Sequence, residues 1–224
     1  MFKIQPDREI SVLSNGYALN IGHINSICEM MKTWRDERRI AVASQVPGYL
    51  KNSTEELDEL KEAVCNFDEH EHVDAICDIL VFTFNAVEMP SKDWVSNLGN
   101  LYLSAITSSL KVDGFREVEM LSRYRDMFNR AILESARIKE EKANGIQGKP
   151  AKYNAFDQAI RLWVLSDVVL KNMGYDLFKA MEETYKEISS RRGAWSDEAK
   201  KWIKDTSPEA KAAEYKADFN NARL

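Results

Sequence analysis

Residues 54–88 read TEELDELKEAVCNFDEHEHVDAICDILVFTFNAVE, and the spacing of acids and apolar side chains in this stretch decides the fold. Leu57, Leu60 and Val64 recur at helical intervals beside Glu56 and Glu59, which stand three apart. After a turn at 66–69, a second helical pattern carries Glu71, Asp74 and Asp78 at i, i+3 and i+7. At 3.6 residues per turn those three lie within roughly 60° of one another. Ile76, Ile79, Leu80 and Val87 are apolar, so the acids border a helix face that must otherwise be buried. Carboxylates so placed repel one another, lose solvation and require a cation. Their oxygens are hard donors, which points to Mg²⁺, with Mn²⁺ as the alternative.

Outward from this stretch helical spacing continues and no strand-rich segment is visible, so the chain is expected to be all-α. Towards the N-terminus, Ile24, Ile27, Met31 and Trp34 mark a helix from near His23 to about Ser44, closed by a turn at Val46-Pro47-Gly48. Asn52 or Ser53 then caps the first acidic helix. Ser53-x-x-Glu56 matches a capping box, a rival use for Glu56 that leaves Glu59 unexplained. Residues 1–22 are broken by Pro6, Asn15-Gly16 and Gly22, with Ile10 and Val12 as a brief strand or an arm for a partner.

Towards the C-terminus, Met89-Pro90 closes the second acidic helix. Trp94, Leu98, Leu101, Tyr102 and Ala105 predict a further helix. Phe115, Val118, Leu121, Phe128, Ile132 and Ile138 predict another, which interleaves both charge signs as a solvated face does. Asn144-Gly145 and Gly148-Lys149-Pro150 form an exposed loop. Ile160, Trp163, Val164 and Val168 define a helix at about 155–172, capped by Gly174, and Leu177, Phe178, Met181, Tyr185 and Ile188 define one at about 175–191. Ser207-Pro208 starts a last helix over 206–224.

A net charge of −5 argues against a general nucleic-acid or membrane-surface binder. The apolar run at 76–87 is too short to span a bilayer. Cys28, Cys65 and Cys77 show no paired metal spacing. An odd count with no signal sequence fits free thiols in a reducing cytoplasm. Arg191, Arg192, Lys200, Lys201 and Lys204 crowd into 14 residues and offer charge-assisted donors to phosphates. An acid cluster, a metal and a basic patch together suit a nucleotide polyphosphate.

Glu55-Glu56-x-x-Glu59, a gap of 11 residues, then Glu71-x-x-Asp74 with Asp78 following, resembles the all-α nucleoside triphosphate pyrophosphohydrolases. These are the MazG-like enzymes and their relatives, the dimeric dUTPases and phosphoribosyl-ATP pyrophosphohydrolases. Gly174-Tyr-Asp176-Leu, Glu183 and Ser190-Arg191 resemble the family's last core helix, where glycine–x–aspartate leads to a glutamate and a closing Ser-Lys. The pattern's asparagine falls at Ile188 and its lysine at Arg191, so nucleotide contacts there differ. The ending at 200–208 looks like that of phage-type members, which implies the cytoplasm of a host. Residues 1–88 and 160–205 would form a four-helix MazG-like core, 89–159 a helical insertion, and 206–224 a C-terminal helix.

The resemblance implies Mg²⁺-dependent cleavage of a (deoxy)nucleoside triphosphate to monophosphate and pyrophosphate by a homodimer or homotetramer. Glu56, Glu59, Glu71 and Asp74 would hold the metal. Asp78 would be a further ligand or would support one. Glu55 and Glu59 would act on the attacking water, and Arg191 and Lys204 would contact phosphates. Glu183 and Trp34 stand as substrate contacts, the first against ordinary helix surface and the second against a core or interface tryptophan. His70 and His72, beside Glu71, read as exposed turn residues rather than a transition-metal pair. A competing reading is a non-catalytic helical adaptor that uses the acidic groove or the 89–159 segment.

Overall fold

The computed structural model describes residues 9–11, 18–88, 114–149, 151, 154–199 and 201–224. Two short strands, β1 (Glu9–Ser11) and β2 (Ala18–Asn20), precede the helices α1 (Ile21–Glu37), α2 (Val42–Asn66) and α3 (Glu69–Asn85). Then follow α4 (Gly114–Ala143), α5 (Ala155–Asn172) and α6 (Leu177–Ser190). A ribbon of β3 (Gly193–Ser196) and β4 (Lys201–Lys204), the short α7 (Pro208–Ala212) and a 3₁₀ turn at Phe219–Ala222 complete the order. The chain is all-α in class, and among the described residues strands occur as two antiparallel pairs, β1–β2 and β3–β4. No described helix is long and apolar enough to cross a membrane.

Helix α3 sits at the centre. Val73, Ile76, Ile79, Leu80 and Phe84 are buried on it, and α1, α2, α5 and α6 pack around it. A helix apolar on most of its circumference has to lie inside. The hairpin of α2 and α3 turns on two residues. Phe67 takes the left-handed conformation (φ 56°), and the Asp68 carboxylate accepts from the His70 and Glu71 backbone N–H groups at 3.1 Å each. Gly174 (φ 85°) turns the chain between α5 and α6, and the Tyr175 N–H reaches back to the Leu170 carbonyl at 2.8 Å.

Helix α1 ends at Glu37, earlier than the spacing suggests, and α2 begins at Val42. Arg39 takes the left-handed conformation (φ 55°), and the Ile40 N–H closes back on the Arg35 carbonyl at 2.9 Å; Arg38 stands at that end. Its guanidinium turns inward, donates to the Ile188 and Ser189 carbonyls at 3.3 and 3.2 Å, and lies over the rings of Trp34 and Trp202. Pro47 and Gly48 then fall inside α2 and do not form the expected turn. The missing N–H of Pro47 costs a helix bond. The buried row Tyr49, Ser53, Leu57 and Leu60 carries the helix through. The capping box is therefore absent: Ser53 Oγ donates to the Tyr49 carbonyl at 2.7 Å, in mid-helix.

Helix α4 packs on α2 and α5, and its Leu121, Phe128 and Ile132 join the common apolar core. Helix α4, which falls within the expected 89–159 segment, thus shares that core, and the boundary at 159/160 falls inside α5. The expected C-terminal helix is short, because residues 213–224 run as a strap tied to α6 and to the Gly174 turn. Asp176 N–H donates to the Ala222 carbonyl at 2.8 Å, and Leu224 N–H to the Gly174 carbonyl at 2.9 Å. The helix expected around Trp94 to Ala105, and Val12, lie outside the described residues.

Candidate functional site

Three helices bring carboxylates to one place. Glu56 and Glu59 come from α2, Asp74 and Asp78 from α3, and Glu187 from α6. Each pair is spaced three or four residues apart and so shares a helix face. Without its capping role, Glu56 is a half-buried acid in mid-helix. Burial pushes its carboxyl up to about 8, and the charges of Asp78, Glu59, Asp74 and Glu55 add to the effect. Burial, then Asp74, raises Asp78 to about 7. Burial, then Glu187 and Glu71, raises Asp74 to about 6. Arg191 opposes the shift at both aspartates and is the cation that faces them.

Glu187 is the member that the sequence reading passed over, although its i, i+4 spacing to Arg191 already put both on one side of α6. It accepts from Arg191 Nη2 at 3.3 Å, from Lys216 Nζ at 3.3 Å and from the Ala217 N–H at 2.9 Å. Burial would raise its carboxyl, but these bonds outweigh burial and hold it below the ordinary range. Glu71 and Glu59 are exposed at the edge of the cluster. Glu55 is also exposed, with Lys51 Nζ 3.6 Å away. Among the described residues no three such side chains converge closely enough to hold an ion as they stand.

Other expected contacts are used inside the fold. Glu183 is buried and accepts from Lys186 Nζ at 2.6 Å, the Tyr215 hydroxyl, the Asp218 N–H at 3.2 Å and Asn221 Nδ2 at 3.3 Å. Those bonds overcome burial and hold its carboxyl down at about 2. Both its oxygens are engaged, so it anchors the C-terminal strap and is not free to meet a substrate. Lys204 pairs with Glu214 at 3.1 Å. Trp34 Nε1 donates to the Ile188 carbonyl at 3.2 Å, and its ring faces Arg38 at 4.7 Å, which is the packing role. His70 is exposed, as expected. His72 is buried, with Nε2 4.0 Å from Glu117 Oε2 of α4.

The site therefore consists of Glu56, Glu59, Asp74 and Asp78, flanked by Glu187 and Arg191, with Glu55 and Glu71 at its rim. Compared with known proteins, the chain matches no protein-family model, no curated protein and no solved structure.

Proposed function

We propose that the chain is a divalent-cation-dependent pyrophosphohydrolase of nucleoside triphosphates. The observation that carries this reading is the placing of Glu56, Asp74 and Asp78 on facing helices α2 and α3, where burial and one another's charge raise their carboxyls to about 8, 6 and 7 and Arg191 faces the two aspartates. Acids that hold protons near neutral pH because they are buried, and because they crowd one another, are relieved by a multivalent cation. The donor set is all carboxylate oxygen, which fits Mg²⁺ or Mn²⁺. Glu56, Glu59, Asp74 and Asp78 would hold it, with Glu71 at the edge. Bound there, it would neutralise phosphate charge and make water a better nucleophile.

The chain's own groups supply the rest. Glu55 and Glu59 lie on the solvent side, where a carboxylate can orient a water and take its proton. Water adds to phosphorus, the bond to the bridging anhydride oxygen breaks, and pyrophosphate leaves with that oxygen. Arg191 faces the aspartates and can exchange its Glu187 partner for a phosphate oxygen. The acid spacing and the Gly174 to Arg191 segment, which resemble the MazG-like enzymes, support the same reaction class. Free thiols fit a reducing cytoplasm, that of a host if the chain is phage-encoded. The exposed Phe67 and Phe115 suit assembly as a homodimer or homotetramer.

One observation favours the second reading, a non-catalytic adaptor: Lys204 and Glu183 are both paired within the chain. The two readings part on turnover. Pyrophosphate release that needs Mg²⁺, and that Glu59→Gln and Asp74→Asn abolish while the fold persists, supports the enzyme. A folded protein that releases none supports the adaptor.

A further inference from the structure

Helices α4 and α5 border a cleft of about 450 Å³ on which Arg116, Arg123 and Arg161 open. Arg116 and Arg123 are seven residues apart, two turns, and so lie on one side of α4, while Arg161 comes from α5. Met120 and Tyr124 line the same space, so it has an apolar wall as well as a cationic one. Burial pushes the Tyr124 phenol up, and the charges of Arg161 and Arg123, which line the same cleft, oppose that shift. A wider cleft continues from Arg123 past Arg130 to Lys61 on α2. Glu119 in the cleft and Asp157 beside Arg161 offset part of this charge. Arg116 and Arg161 also make further contacts within the chain.

Guanidinium groups from two elements gathered on one concavity repel one another. They match the oxygens of a phosphate in pairs, and their planar faces tolerate a stacked ring. The cleft volume falls in the range of small-molecule sites, roughly 300–1,000 Å³. Its walls come from helices other than α3 and α6, so it is separate from the acidic cluster. We infer that the Arg116–Arg123–Arg161 cleft between α4 and α5 binds a phosphate-bearing small molecule of nucleotide size. Its phosphates lie on the arginines and its remainder against Met120 and Tyr124.

The test is calorimetric titration of the full chain with inorganic phosphate, pyrophosphate and a nucleoside triphosphate, each in EDTA so that the carboxylate cluster carries no cation. Saturable binding is expected. Arg123→Glu should weaken it by about tenfold or more, whereas Lys32→Ala, at an exposed cation on α1, should leave it unchanged. Arg123→Gln, which adds no new charge, serves if the reversal disturbs folding. Pyrophosphate binding as tightly as the nucleotide assigns recognition to phosphate alone, and a tighter nucleotide adds the Met120–Tyr124 wall. Absence of saturable binding by all three, or equal binding by the Arg123 variants, overturns the site. Neither outcome depends on turnover, so the inference stands or falls apart from the proposed reaction.

Discussion

The Glu187 carboxylate accepts the Ala217 backbone N–H at 2.9 Å, and the same carboxylate faces Asp74 and Asp78. One acid thus joins the C-terminal strap to the candidate site. Glu187→Ala removes a negative neighbour from the aspartates and orphans the Ala217 N–H. The expected results are lower titration midpoints for Asp74 and Asp78, followed by carboxyl NMR, and faster proteolysis of 213–224. The lost half-buried bond should cost about 1 kcal/mol of stability.

Stability without metal should fall as pH rises above neutrality. Glu56 and Asp78, at about 8 and 7, bind protons in the folded state that the unfolded chain has already lost. Their contribution is fully present below the ordinary carboxylate range and disappears as pH passes through their folded values. His23 and His72, held low by burial, titrate below this window. Thermal melts in EDTA should therefore show a falling Tm from pH 7 to 9, and Mg²⁺ should restore Tm most at the alkaline end. A Tm that rises across that window contradicts the crowded cluster.

Glu183 behaves in the opposite sense. Its carboxyl is held at about 2, so its contribution is present above the ordinary glutamate range and is lost as pH falls towards 2. Tyr215→Phe removes one of its donors. That variant should be less stable at pH 7 and release the strap at a higher pH than the parent chain, as read by protease sensitivity between pH 5 and 3.

Arg38 holds the end of α6 against α1 through the Ile188 and Ser189 carbonyls, and its guanidinium lies over both Trp34 and Trp202. Arg38→Ala should destabilise the chain by about 1–3 kcal/mol, because the Ile188 and Ser189 carbonyls lose a charged donor, the first keeping Trp34 Nε1, and the stack is removed. Tryptophan emission should shift as Trp34 and Trp202 gain solvent. Arg38→Lys should recover only part, since an ammonium cannot serve both carbonyls and both rings.

The α2–α3 hairpin and its acids were legible because helical spacing forces Glu56 with Glu59, and Asp74 with Asp78, onto common faces. The gathering of those faces follows from the buried row on α3. Pro47-Gly48 misled the local reading. A turn signal yields to tertiary burial when Tyr49, Ser53, Leu57 and Leu60 all need the same helix. The roles of Glu183, Glu187 and Lys204 were not legible, since their partners lie in a strap whose fold follows no periodic pattern. The burial of His72, with Glu117 of α4 beside it, brings together residues 45 apart in sequence, which spacing along either helix does not reveal.

The most direct measurement is Mn²⁺ or Mg²⁺ binding by calorimetry at pH 7 in buffers of different ionisation enthalpy, which counts the protons released. Carboxyls held at about 8, 7 and 6 must give up their protons to accept a cation. The expected result is saturable binding with release of about one to two protons, lost in Asp74→Asn and Glu56→Gln. Absence of saturable binding, or binding that releases no proton and survives both substitutions, would contradict a cation site at Glu56, Asp74 and Asp78.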